Sequence, residues 1–164
     1  MVSDIYRKVF GDKLIHYTPI ENLEEIKKHM ILYSSNQLLQ RNIQPSYMSN
    51  NLSRQIDSAR GINGYVFLVF RENHPLIYKI SRSNITLLRI PIDITILDLP
   101  GVLISDRVAN DSNANFYTPE IALDVLRIDL CNKNYIGNRG VWEQVIRYEI
   151  LIPESIDLKQ YYAG

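Results

Sequence analysis

The chain has 164 residues, of which 46% are hydrophobic and 22% are charged. This length can bury one substantial core but is too short for two, so we expect a single domain over residues 1–164. Lysine plus arginine equals aspartate plus glutamate, at 18 each, which gives a formal net charge of zero. That balance argues against a protein that binds nucleic acid by bulk electrostatic attraction, although it leaves room for a local basic groove.

Cysteine usage and hydropathy indicate the compartment. The single cysteine, Cys131, excludes an intramolecular disulfide and a cysteine-rich zinc site, which favours a reducing, cytoplasmic environment. Residues 1–8 carry charged side chains and no apolar run, so we expect no signal peptide. The most apolar region, residues 85–104, is interrupted by three charged side chains, and we expect no membrane-spanning segment.

The first half of the chain combines a strand, a helix and a long polar stretch. Residues 14–18 predict a short strand. The segment Thr18-Pro19-Ile20-Glu21 is a helix-start pattern with threonine as the N-cap, and it predicts a helix over residues 19–30. Residues 33–64 are rich in serine, asparagine and glutamine, so we expect mostly loop there, with a short helix within residues 50–59.

The second half of the chain is dominated by predicted strands. Thr118-Pro119-Glu120 opens a second capped helix that ends near residue 129, and polar loops are expected at 106–117 and 132–140. The last strand carries Glu149 near its middle. One early helix followed mainly by strands is typical of the α+β class. The expected strands are 65–70, 75–80, 85–92, 101–105 and 145–153.

Most familiar catalytic signatures are absent from the sequence. It has no GxGxxG after a strand, no P-loop, and no HExxH or zinc-type spacing. His16, His29 and His74 are scattered along the chain, so we expect no metal site. Cys131 with a histidine partner stays open as a nucleophile, although single cysteines are more often inert and buried.

Three polar residues stand in unusual positions. His16 lies inside an apolar strand, Arg54 lies in the polar stretch with few acidic neighbours, and Glu149 interrupts an apolar strand. Taken alone, each has an ordinary explanation: a core histidine with satisfied hydrogen bonds, a solvated loop arginine and an outward-facing carboxylate. Their order along the chain is what gives them weight.

That order resembles the DarT family of DNA ADP-ribosyltransferase toxins. The similarity covers the family's opening strand and helix, its NAD-binding loop ending in an arginine, its central strands, its Leu-Pro block and the strand of the catalytic glutamate. No single motif is highly specific, so the weight lies in the collinear order over most of the chain. The corresponding segments are Leu14 to Ile26, Ser35 to Leu38, Tyr47 to Arg54, Tyr65 to Ile80, Leu99 to Asp106, Asn115 to Tyr117, and Arg147 to Ile152.

The resemblance implies an α+β fold, namely an ADP-ribosyltransferase-like split β-sandwich with flanking helices and NAD+ bound in the cleft as co-substrate. His16 would hydrogen-bond a ribose hydroxyl of NAD+, and Thr18 with Asn22 would shape the same pocket. Tyr17 would flank the nicotinamide or a flipped base, although core packing explains this tyrosine equally well.

The resemblance also assigns the chemistry. It implies that Arg54 holds the pyrophosphate of NAD+ or assists at the acceptor base, and that Glu149 is the catalytic carboxylate. Cleavage of the bond to nicotinamide builds positive charge on the ribose. A fixed carboxylate stabilises that charge more strongly in the transition state than in the ground state.

Three departures from the family pattern leave the acceptor open. Arg147 stands two residues before Glu149, where the DarT relatives carry glutamine and where the residue helps to choose the acceptor. Asn115 stands where the family often has arginine. The chain also ends about fifteen residues after Glu149, so we expect the C-terminal helical portion of longer relatives to be missing.

These observations together predict an NAD+-dependent mono-ADP-ribosyltransferase that modifies a nucleic-acid base, as a toxin or phage-defence effector. Thymine in single-stranded DNA is the leading acceptor, and guanine bases, RNA and protein side chains stay open. A non-catalytic module that binds a nucleotide or a protein partner on the same scaffold is the alternative. The resemblance also suggests a macrodomain antitoxin as a partner.

Overall fold

The computed structural model describes residues 1–47, 61–72, 74, 75, 77, 83–131, 133 and 137–164, and antiparallel strands form its centre. The strands are β1 Lys13–Pro19, β2 Ile31–Tyr33, β3 Tyr65–Val69, β4 Leu87–Asp93, β5 Leu103–Ser105, β6 Phe116–Tyr117, β7 Glu149–Pro153 and β8 Ser155–Asp157. Six of them form one sheet in the order β4-β1-β3-β7-β5-β6. The remaining two, β2 and β8, form a separate two-stranded sheet.

Helices flank these sheets, and the mixture confirms the α+β class. Among the described residues, no helix is both long enough and apolar enough to span a bilayer. The α-helices are α1 Val2–Phe10, α2 Leu23–His29, α3 Ser35–Gln40, α4 Pro119–Val125, α5 Arg139–Val145 and α6 Leu158–Tyr161.

Strand β7 is buried on both of its faces. Ile150 and Ile152 belong to the main hydrophobic core, whereas Leu151 packs with Ile62 and Ala109 in a second, smaller cluster. Successive residues of a strand point to opposite faces of the sheet. The side chain that begins β7 at position 149 therefore points to the side of the smaller cluster.

Helix α1 is an element that the sequence pattern did not predict. Its Tyr6 and Phe10 side chains, one turn apart, stack with Phe70 at centroid distances of 5.9 and 4.5 Å. The backbone N–H of Ser3 donates to the Asp98 carboxylate at 3.0 Å. Because these contacts are tertiary, packing against distant residues stabilises this short helix more than any local signal does.

The prediction of a helix over residues 19–30 was wrong for its first turn. Strand β1 continues through Pro19, and a 3-10 turn at Ile20–Asn22 separates it from α2. The Thr18 hydroxyl does not cap a helix, because it accepts a hydrogen bond from the Asn22 side chain at 2.9 Å. The seven-residue pairing of β1 with β4 therefore overrides the local helix-start pattern.

The polar stretch over residues 33–64 begins with more regular structure than expected. Helix α3 starts after Ser34, whose hydroxyl accepts a hydrogen bond from the Gln37 backbone N–H at 3.2 Å. This is an ordinary N-cap, and the expectation of loop was wrong at this point. The helix expected within residues 50–59 lies outside the described residues.

Two of the expected strands also differ from the structure. In the segment 75–80, the two described residues, Pro75 and Ile77, are helical. The strand expected over 145–153 begins only at Glu149, because α5 extends to Val145 and packs that side chain into the core. Glu149 therefore opens β7 and does not lie near the middle of a longer strand.

Strand β1 joins the larger part of the sheet at a single position. It pairs with β4 over seven residues, but with β3 only at Ile15 and Val69. Strand β3 then pairs with β7 over five residues. The sheet thus consists of a β4–β1 ladder and a β3–β7–β5–β6 ladder, and the pairing between them ends beside His16.

A buried histidine gives the fold a testable pH dependence. His74 is 1% exposed, and burial lowers its pKa to about 4. The unfolded chain takes up a proton near pH 6.5, whereas the folded chain does so only near pH 4. This pKa difference contributes about 3 kcal/mol to the free energy of unfolding above pH 6.5, and the contribution is lost as the pH falls through 4. Urea unfolding at pH 7.5 and pH 4 should show a smaller loss in His74→Gln, and equal losses would contradict this account.

Candidate active site

Glu149 is a buried carboxylate held by the backbone of a distant loop. It is 7% exposed, and its Oε1 atom accepts a hydrogen bond from the Ala109 backbone N–H at 2.7 Å. Its neighbours across the sheet are Val69 on β3 and Ser105 on β5. A buried carboxylate needs such donors, because the charged form is otherwise strongly destabilised. The carboxylate is therefore not the outward-facing side chain that an ordinary surface strand would carry.

The donor belongs to the loop that joins β5 to β6, residues 106–115. Asp106 and Asn115 pair at its base, where the Asn115 backbone N–H and side-chain Nδ2 donate to the two Asp106 carboxylate oxygens at 2.9 and 3.0 Å. Ala109 is 2% exposed and packs against Ile62 and Leu151. The loop is thus fixed both by a polar pair at its base and by an apolar contact near its middle.

His16 lies where β1 and β3 cease to pair. Its Nδ1 atom is 2.8 Å from the Phe67 carbonyl oxygen. Because a carbonyl oxygen can only accept, Nδ1 carries the proton of this hydrogen bond. Burial lowers the pKa of His16, although the hydrogen bond to Phe67 acts in the opposite direction. The ring is therefore neutral near pH 7, and its Nε2 atom is an acceptor.

A cavity of about 130 Å³ opens beside this ring. Asn22 organises one of its walls: its Nδ2 atom donates to the Thr18 hydroxyl and the Ser46 carbonyl, each at 2.9 Å. Its Oδ1 atom accepts the Ser46 backbone N–H at 2.8 Å. Apolar side chains from α2, β2, α3 and the following segment also line the cavity, namely Ile26, Ile31, Leu32, Tyr33, Leu38, Ile43 and Pro45. The rest of the lining is polar and consists of Glu21, Glu25, His29 and Gln44.

The structure brings together only part of the expected site. His16, Thr18 and Asn22 line one cavity, whereas Glu149 stands on β7, with β3 between it and β1. Tyr17 does not line this cavity, because successive strand residues alternate in direction, and it pairs across the ladder with Arg89. The expected contribution of Arg54 lies outside the described residues.

Cys131 does not have the properties of a nucleophile. It is 1% exposed, and burial raises the pKa of its thiol to about 12. Its Sγ atom donates to the Val145 carbonyl at 3.3 Å. A thiol in this environment is not ionised at neutral pH, and the thiolate is the reactive form. The geometry therefore favours the carboxylate over the thiol as the reactive group.

Sequence reasoning missed the residues that support Glu149. Ala109 acts through its backbone N–H, which leaves no side-chain signal in the sequence. Asp106 and Asn115 lie within a recognisable run of aspartate and asparagine, a composition typical of side-chain-to-backbone bonds in loops. That run could have indicated an ordered loop, but nothing in it indicates the strand residue 40 positions away that the loop contacts.

Comparison with known proteins identifies the fold. The model of the family described as ssDNA thymidine ADP-ribosyltransferase, DarT, matches residues 15–160. Thermosipho africanus DarTG in complex with ADP-ribose has a similar fold, with a TM-score of 0.75 at 17% identity. The match covers 92% of this chain and 42% of that one, so the chain spans less than half of the DarTG length.

Two structures of Thermus sp. 2.9 DarT are also similar. The complex with ADP-ribosylated ssDNA has a TM-score of 0.68 at 16% identity, and the complex with NAD+ has a TM-score of 0.63 at 18% identity. Each match covers 88% of this chain and 76% of the Thermus chain. A search of curated proteins finds no match. The expected ADP-ribosyltransferase-like fold is confirmed by these structural similarities.

Proposed function

The chain belongs to the DarT family of ssDNA thymidine ADP-ribosyltransferases, and on this premise we propose that it transfers ADP-ribose from NAD+ to thymine bases of single-stranded DNA. The observation that carries the proposal is the buried Glu149 carboxylate, held by the Ala109 N–H at the start of β7. A charged group held in a fixed position needs to reorganise little when positive charge develops on a substrate.

Glu149 supplies the central electrostatic interaction of the proposed reaction. Departure of nicotinamide leaves an oxocarbenium-like ribose, and a carboxylate that accepts a hydrogen bond from the ribose 2′-hydroxyl stabilises it. A base nitrogen or oxygen of the acceptor then forms the new glycosidic bond, and a proton leaves the acceptor. The rigid mount on β7 keeps the carboxylate in one place during this exchange.

His16, Thr18 and Asn22 support the binding of NAD+. The neutral His16 ring offers Nε2 as an acceptor for a ribose hydroxyl, because Nδ1 already donates to the Phe67 carbonyl. Asn22 uses its amide to hold Ser46 and Thr18, so its proposed role is to shape the pocket wall. Tyr17 points away from this pocket, toward the side of the sheet that bears Glu149, so its proposed contact is with the nicotinamide or the acceptor base there.

Two arginines complete the proposal. We propose that Arg54 binds the pyrophosphate of NAD+ or assists at the acceptor, since guanidinium groups match phosphate oxygens in charge and geometry. Arg147 is exposed and precedes Glu149 by two residues. A cation there suits a polyanionic acceptor, so we propose that Arg147 contacts the DNA backbone near the modified base.

The proposed biological role rests on the same family membership. The Thermus relative is described in complex with ADP-ribosylated ssDNA, and the Thermosipho relative is a DarTG in complex with ADP-ribose. We propose that this chain acts as a toxin or phage-defence effector and that a macrodomain antitoxin counteracts it. Co-expression with a macrodomain should restore growth and remove label from modified DNA.

One assay tests both the reaction and the acceptor. Purified protein is incubated with labelled NAD+ and, in parallel, with single-stranded DNA, the same strand without thymidine, duplex DNA, RNA or a protein lysate. We expect label on the thymidine-containing single strand alone. Label on RNA or protein would support the transferase activity but would show that the acceptor is not single-stranded DNA. Binding of NAD+ without release of nicotinamide would instead support a non-catalytic module.

A further inference from the structure

The base of loop 106–115 is closed by a reciprocal pair of residues. The Asp106 backbone N–H donates to the Asn115 carbonyl at 3.1 Å, and Asn115 donates twice to the Asp106 carboxylate, at 2.9 and 3.0 Å. Asp106 is 7% exposed, so its carboxylate depends on these donors and on Arg107, whose Nε atom lies 3.3 Å from Oδ1, rather than on solvent. Three hydrogen bonds thus join two residues that are nine positions apart.

This closure is needed because the neighbouring strands are short. Strands β5 and β6 pair only at Ile104 with Tyr117 and at Ser105 with Phe116. A two-residue ladder holds the ends of a loop weakly, and loop closure has an entropic cost. The Asp106–Asn115 pair extends the closure beyond the ladder and fixes the start of the loop next to Ser105, the β5 residue that pairs with Glu149.

The closed loop presents one backbone N–H to the carboxylate of Glu149. Within the loop, the Asp111 N–H donates to the Val108 carbonyl at 2.9 Å and the Ala114 N–H donates to the Asp111 carbonyl at 3.0 Å. These turns leave the Ala109 N–H pointing at Glu149 Oε1, at 2.7 Å. The direction of that N–H depends on the loop that carries it, and the loop depends on its base.

We infer that Asp106 and Asn115 are positioning residues for catalysis: by closing the loop they aim the Ala109 N–H, and through it they hold the Glu149 carboxylate in its reactive orientation. The inference rests on the proposed function of Glu149. A catalytic carboxylate must keep its orientation to within a small tolerance, and groups that restrain it increase the rate without contacting the substrate. Asn115 restrains the Glu149 carboxylate indirectly, through its hydrogen bonds to Asp106 at the base of the loop.

A reciprocal exchange of the two side chains tests the inference. Asp106→Asn removes the negative charge that Asn115 and Arg107 contact, and Asn115→Asp places two carboxylates against each other. Each single variant should lower kcat about five- to tenfold. The double variant Asp106→Asn/Asn115→Asp restores a donor and an acceptor at the same place with unchanged net charge, so it should recover most of kcat.

Binding measurements separate positioning from simple loss of folded protein. Calorimetric titration with carba-NAD+, a non-cleavable analogue, should give the wild-type stoichiometry and affinity for every variant while kcat changes. The matched control is Asp124→Asn, which makes the same change at an exposed aspartate of α4 and should keep kcat within about twofold. Hydrogen exchange at the Ala109 amide should be faster in both single variants and normal in the double variant.

The outcomes distinguish this inference from the proposed function. An active wild-type chain whose single variants keep kcat would overturn the positioning role and leave the transferase in place. If kcat falls only in proportion to the fraction of protein that binds carba-NAD+, the positioning role is also overturned. The same holds if the double variant does not restore kcat. A wild-type chain that transfers no label and releases no nicotinamide would overturn the proposed function, and the positioning role with it.

Discussion

Glu149→Gln is expected to lower the rate of ADP-ribose transfer about a thousandfold, equivalent to about 4 kcal/mol of transition-state stabilisation. The substitution keeps the size of the side chain and an oxygen that can accept the Ala109 N–H. It removes the negative charge that opposes the developing charge on ribose. Because this interaction is strongest in the transition state, kcat should fall while the affinity for NAD+ changes little.

The measurement is single-turnover transfer of labelled ADP-ribose to single-stranded DNA, with nicotinamide release followed in parallel. Glu24→Gln is the matched control, since the Glu24 side chain is 87% exposed on α2 and should have no effect on the rate. Melting temperature and calorimetric titration with NAD+ establish that the variant is folded. Unchanged turnover in Glu149→Gln would remove this residue from the chemistry.

His16→Asn is expected to weaken NAD+ binding about tenfold to thirtyfold, or about 1.5–2 kcal/mol. The shorter side chain carries its NH2 group near the position of Nδ1, so it can keep donating to the Phe67 carbonyl. It lacks an acceptor at the position of Nε2, which we propose binds a ribose hydroxyl. The loss should therefore appear in the affinity for NAD+ rather than in the stability of the fold.

His16→Gln is the companion variant for this prediction. Its longer side chain places an acceptor near Nε2 but gives up the hydrogen bond to Phe67, so it should lose less affinity for NAD+ and more stability. Titration calorimetry and thermal unfolding of both variants give the comparison. Equal affinities for NAD+ in His16→Asn and the wild-type chain would mean that the ring serves only to fill the position where β1 and β3 separate.

Local signals in the sequence predicted elements that depend on neighbouring residues. Thr118 caps α4 as expected, accepting the Ile121 N–H at 3.4 Å, and Pro119 occupies the first turn. The apolar run at residues 65–70 forms β3. His16 and Glu149 were proposed as site residues from their order along the chain, which resembles a family pattern even where each motif is weak, and their roles stay predictions.

Other features depend on contacts that the sequence does not display. The helix-start pattern at Thr18 fails because pairing with β4 continues to Pro19, a partner almost 70 residues away. Ala109 supports Glu149 through a backbone atom, and any residue other than proline could supply it. Tertiary context decides both cases, so no local pattern could have identified them.

The single residue pair between β1 and β3 leaves a side chain to carry part of the connection between the two ladders. The β4–β1 ladder carries His16, and the β3–β7–β5–β6 ladder carries Glu149. The His16 Nδ1 atom lies 2.8 Å from the Phe67 carbonyl oxygen on β3, so this side chain links the two ladders where their backbone pairing ends. The separation between His16 and Glu149 therefore depends on a side-chain hydrogen bond as well as on backbone pairing.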